Sequence, residues 1–129
     1  MATIRRFEEI EAWQHARSLV HAVYGVSADG KFARDFALLN QIRRAAISVM
    51  SNIAEGFERG GNKEFLQFLA VAKGSCGELR SQLYVACDQG YIKTADFDRF
   101  AEDAMRTSRM VAGMMRHLRQ SELKGAKYR

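Results

Sequence analysis

The side chains of this chain best suited to chemistry are three histidines, two cysteines and a C-terminal run of arginines. His15 and His21 fall about 120° apart on a helix, and His117 is remote in sequence. No carboxylate stands at a spacing that would hold any of them as a metal ligand or general base. Cys76 and Cys87 share one helical pattern eleven residues apart, roughly 16 Å at 1.5 Å per residue, too far for a disulfide. They read as small buried thiols of a reducing compartment. Gly60-Gly61 lacks the Lys-Ser/Thr that would complete a phosphate loop. An Arg-x4-His ribonuclease signature would need arginine at positions held by Ile10, Ala16 and Ala112. The expectation is therefore a chain that is no enzyme and carries neither metal nor cofactor.

The arginines point to binding. Net charge is +5, from 20 basic and 15 acidic side chains. Residues 1–103 carry 13 basic and 14 acidic groups, whereas residues 104–129 carry seven basic ones against Glu122 alone. That asymmetry suits an acidic partner such as RNA or DNA, although a basic tail also serves solubility. The candidate contacts are Arg99, Arg106, Arg109, Arg116 and Arg119, followed by Lys124, Lys127 and Arg129. One copy makes a weak basic face. Repeated around a ring, it would make a continuous belt for phosphates.

Long helices must position these groups. At 129 residues and 47% apolar, the chain can build one core, and proline is absent, so nothing breaks a long helix. Apolar residues recur at helical spacing in blocks of about 9–25, 36–59, 62–90 and 94–121. Asp35 and Asn62 are candidate N-caps, Gly60-Gly61 is a stop, and Val26 to Arg34 reads as a polar connector. The third block has the cleanest seam, Phe65, Leu69, Ala72, Cys76, Leu79, Leu83 and Ala86. Four amphipathic helices on short links predict an all-α, antiparallel up-down-up-down four-helix bundle forming a single domain. No apolar run is long enough to cross a membrane, and the acidic stretch after Arg6 is no secretory leader, so a cytoplasmic protein is expected.

Two stripes lie off the predicted core. On the third helix, Ala70, Gly74, Gly77 and Ser81 oppose the seam. Glycine inside a helix costs about 1 kcal/mol relative to alanine, and close approach of another backbone is the usual compensation. Burial against a second subunit accounts for the stripe better than two tolerated glycines in water. On the second helix, Gln41, Arg44, Ser48, Asn52, Glu55 and Arg59 form a polar stripe, with Glu55 and Arg59 spaced as an i,i+4 pair. It is either a solvated face or one whose serines and Asn52 bond to a neighbouring subunit.

Residues 7–16 (Phe-Glu-Glu-Ile-Glu-Ala-Trp-Gln-His-Ala), the block from Gln41-Ile42-Arg43-Arg44-Ala45 through Asn52-Ile53-Ala54-Glu55-Gly56, Lys63-Glu64-Phe65 and Ala72 to Leu79 together resemble the bacterial 23S rRNA intervening-sequence protein family of four-helix bundles. The family is in turn similar to the accessory variability determinant proteins of diversity-generating retroelements, basic homopentameric barrels that bind a reverse transcriptase and nucleic acid. Position by position, the resemblance marks Arg44, Ser48, Asn52, Glu55, Arg59, Gly74, Ser75 and Glu78. It implies a bundle, a homo-oligomer of five and an adaptor role, but no reaction. Two functions stay open: a non-enzymatic homopentameric protein that binds nucleic acid through a basic surface, or a structural assembly module whose partner is a protein.

Overall fold

The computed structural model describes the backbone of residues 3–127 and the side chains of residues 3–121. A 3-10 turn, Phe7–Glu9, precedes α1 (Glu11–Val26), a short α2 (Gly30–Arg34), α3 (Phe36–Glu58), α4 (Asn62–Asp88) and α5 (Thr94–Lys127). Among the described residues every regular element is helical. The four long helices neighbour one another around the bundle in the order α1, α3, α4, α5, with α5 returning to α1.

Two apolar clusters hold them. One joins Leu19 and Val23 from the end of α1 to Ile42 from the start of α3, Leu83 from the end of α4 and Phe100 from the start of α5. The other joins Ala16, Val49, Ile53, Leu69, Cys76 and Val111, from the opposite halves of the same helices. Consecutive long helices therefore alternate in direction. The expected seam of α4 is what it buries from Leu69 on, with Leu69, Ala72, Cys76, Leu79, Leu83 and Ala86 all fully enclosed, while Phe65 at its start is half-buried.

Asp35 caps α3 as expected, its Oδ1 accepting from the Leu38 amide at 3.2 Å. Asn62 does not cap α4, because the helix begins one residue early and Gly61 takes the N-cap position. The stop at Gly60 is real: its φ of +82° is a left-handed turn that a side chain would strain. The stretch expected to be a polar connector holds α2. There Phe32 is buried and stacks on Tyr91 at 5.3 Å, while the Tyr91 hydroxyl donates to Asp35 Oδ2 at 2.9 Å. One aromatic in a polar stretch leaves no periodicity to read. The bond to Asp35 holds the Tyr91 proton and raises its pKa above the ordinary tyrosine value.

Arg43 locks α1 to α3. Its Nε donates to the buried Ser27 Oγ at 3.0 Å, its Nη2 to the Ser27 carbonyl at 3.3 Å, and its guanidinium lies over the Tyr24 ring at 4.3 Å. Ser27 itself donates to the Val23 carbonyl at 2.6 Å. An arginine that looks like surface charge in the sequence thus closes the C-terminal end of α1.

Candidate functional site

Three surfaces carry the residues singled out by sequence, and the structure sorts them differently from a helical wheel. The first is the α3–α4 seam. Ser48 Oγ and Ser75 Oγ share a hydrogen bond of 2.8 Å across it. Asn52 Nδ2 donates to the Ser48 carbonyl at 2.8 Å and to its Oγ at 2.9 Å. Gln82 Nε2 reaches Glu78 Oε1 at 3.4 Å and Gln41 Oε1 at 3.5 Å. Arg59 pairs with Glu55 at 2.6 Å and sits over the Phe68 ring of α4 at 5.0 Å. Ser48 and Asn52 thus correct the expected outward face, since both are half-buried at the seam, whereas Gln41, Arg44, Glu55 and Arg59 are exposed. Ser48 lies six residues after the core residue Ile42, about 120° round the helix, which is where α4 stands. The hydrogen bonds expected from a neighbouring subunit are made inside the chain.

The second surface is the outer face of α4. Ala70, Gly74, Gly77 and Ser81 are all exposed there. A Cβ built at Gly74 or Gly77 would meet nothing within 4 Å. Exposed apolar side chains border the stripe: Val71 at 52%, Tyr84 at 56% and Val85. No contact inside the chain offsets the helix propensity lost at these glycines.

The third surface is α5. Arg99 pairs with Asp96 at 3.1 Å and Arg109 with Glu102 at 3.0 Å, so two of the five expected arginines are already engaged. Arg106, Arg116 and Arg119 are exposed and make no ion pair among the described residues. Lys124 and Lys127 have side chains outside the described residues, and Arg129 lies outside them altogether. Exposed pairs of this kind each contribute about 0.2–1 kcal/mol, so a stronger acidic ligand could displace them.

Among the described residues, no three His, Cys, Asp or Glu side chains converge on a point where a metal could sit. Burial pushes the Cys76 thiol up to about 11, against the opposing pull of Lys73 and Arg80, so near neutral pH it is a protonated packing group.

Four long helices packed side by side, with Ser48, Asn52 and Ser75 bonded at the α3–α4 seam, form the frame that carries these surfaces. The chain matches the family of 23S rRNA-intervening sequence proteins over residues 8–113, and it belongs to that family. Its fold is shared by a crystal structure of a protein of unknown function from the S23 ribosomal protein family of Bacteroides thetaiotaomicron. That structure is 16% identical, with a TM-score of 0.73 over 81% of this chain and 97% of the other. At that identity the likeness shows the fold. No curated protein matches the chain. No helix among the described residues is long and apolar enough to cross a membrane.

Proposed function

We propose that this protein is a non-enzymatic assembly module. It packs against copies of itself through the outer faces of α3 and α4, in a ring of five as the family resemblance implies, and offers the arginines of α5 to RNA or DNA. The observation that carries the assembly is the open space over Gly74 and Gly77. Two interior glycines cost about 2 kcal/mol of helix propensity, and only a neighbour packed closely on that face returns it. The outer face of α3 supplies complementary bulk, with Phe36 69% exposed and Ile47 also exposed. A closed ring of head-to-tail contacts would bury both faces in every copy.

Arg106, Arg116 and Arg119, with the basic residues that follow, support the nucleic-acid role, because cations on one face neutralise phosphates without reading sequence. A protein partner is the second reading, favoured by the engagement of Arg99 and Arg109 with acids of their own helix. Sedimentation gives the mass of the assembly, and a salt titration with a generic RNA separates the partners. Affinity that falls steeply with salt supports nucleic acid, and no binding at low salt rejects it.

A further inference from the structure

A cleft of about 800 Å³ opens at the end of the bundle where α3 turns into α4. Its walls are Thr3 and Ile4 of the N-terminal segment, Phe57 from the last turn of α3, Phe65 from the first turn of α4, and Met114 and Leu118 of α5. The two rings meet edge to face at 6.0 Å. The turn itself, Gly60-Gly61, contributes backbone only, and Gly113 leaves the α5 side open. The Asn62 amide and the His117 imidazole, both exposed, stand at the rim. Asn62 is one residue too late to cap its own helix, so α4 makes no use of its amide as a cap.

None of the residues that line the cleft is acidic. Arg116 Nη2 comes within 3.7 Å of where a Cβ on Gly113 would stand, which sets a guanidinium at the edge, and Lys63 directly follows Asn62. Glu64 folds its carboxylate back against Gly61 at the start of its own helix, where the helix dipole holds it. Aromatic and thioether walls, an amide able both to donate and to accept, and flanking cations form a combination that suits a flat aromatic ring with a polar edge, carried on a phosphate chain. An aliphatic ligand would leave the rim unused, and an acidic peptide would leave the walls unused.

We propose that this cleft takes an unpaired base from a single-stranded nucleic acid whose phosphates lie along the arginines of α5. The proposal rests on the nucleic-acid reading above and deepens it: α5 supplies salt-dependent affinity, and the cleft supplies preference for unpaired bases. The base stacks on the face of one of the two rings, with the other ring and Met114 closing the pocket around it, and Asn62 pairs with its edge.

The test compares a short oligoadenylate, its deoxy counterpart and an abasic strand of equal length and charge, by fluorescence anisotropy on the full chain. Wild type should bind the strands with bases about tenfold tighter than the abasic strand. Gly113→Leu plugs the cleft with a better helix former at a site where a Cβ meets no backbone. It should bring all strands to the abasic affinity while keeping the salt dependence. Asn62→Ala should lose part of the preference and none of the salt dependence. Equal binding of all strands by wild type, with salt dependence intact, overturns the cleft and leaves the nucleic-acid reading standing. Binding of none of them overturns both. A Gly113→Leu variant that changes sedimentation but keeps the preference makes the cleft a contact between copies, and also overturns it. Preference for one sugar over the other, lost in Gly113→Leu, supports the cleft and identifies the strand.

Discussion

Gly56 and Gly74 are both helix-interior glycines, and the structure treats them in opposite ways. A Cβ on Gly56 would stand 2.7 Å from Phe68 Cβ and 3.5 Å from Phe65 Cα, so α3 and α4 approach each other at Gly56 because nothing else fits. A Cβ on Gly74 would meet open space. Close approach of a second backbone is the usual compensation for a helical glycine, and within this chain it is found at Gly56 alone of the two. Gly74 and its neighbour Gly77 carry the same propensity cost with no partner in the monomer. A glycine pattern in the sequence thus reports where backbones come close, without saying whether the second backbone belongs to the same chain.

The comparison can be broken first at Gly56. Gly56→Ala forces α3 from α4 and should destabilise the fold by about 3 kcal/mol, lowering Tm by roughly 10 °C in a thermal melt. An unchanged Tm would mean that the seam has slack.

The buried side of α4 gives the next largest effect. Cys76 lies two residues from Gly74 but inside the core, and burial lifts its pKa from 9.0 to about 11. The unfolded thiol ionises near 9 while the folded one resists. Stability from this group is therefore complete below pH 9 and is lost as pH rises through 11, on the order of 2 kcal/mol in all. Urea melts across that range should show the decline, and Cys76→Ala should make it shallower, leaving the part that the raised Tyr91 contributes above pH 10.

Within the seam, Ser48→Ala removes the bond to Ser75 and leaves that hydroxyl half-buried, at about 1 kcal/mol. The double variant with Ser75→Ala should be close to the single one, because both partners are then gone. Additive losses in denaturant titrations would mean that the serines act separately. The smallest effects belong to α5. Arg106→Gln should lower the slope of log affinity against log salt by about 1, whereas Arg109→Gln should change it less, since Glu102 already holds that guanidinium. Equal slopes for both would show that the Glu102 pair yields to phosphate.

The core of the bundle was legible in the sequence because an α4 seam at alternating steps of three and four permits only one buried direction, and its six residues from Leu69 to Ala86 are buried. The polar stripe of α3 was not, because Ser48 and Asn52 lie on the flank of the core stripe. Periodicity does not say whether a flank meets water, another subunit or the next helix of the same chain. Asn62 was expected as a cap and Gly61 took the role, a slip of one residue that periodicity cannot resolve. The cleft was invisible for another reason: its walls come from the N-terminal segment, α3, α4 and α5, and glycine backbone lines part of it.

The most direct test of the assembly is sedimentation of the wild-type protein beside Gly74→Leu. The outer-face account predicts a wild-type homo-oligomer and a Gly74→Leu protein of full helical content that sediments as a 14.6 kDa monomer. A wild type that is already monomeric, or a Gly74→Leu variant that assembles normally, would contradict it.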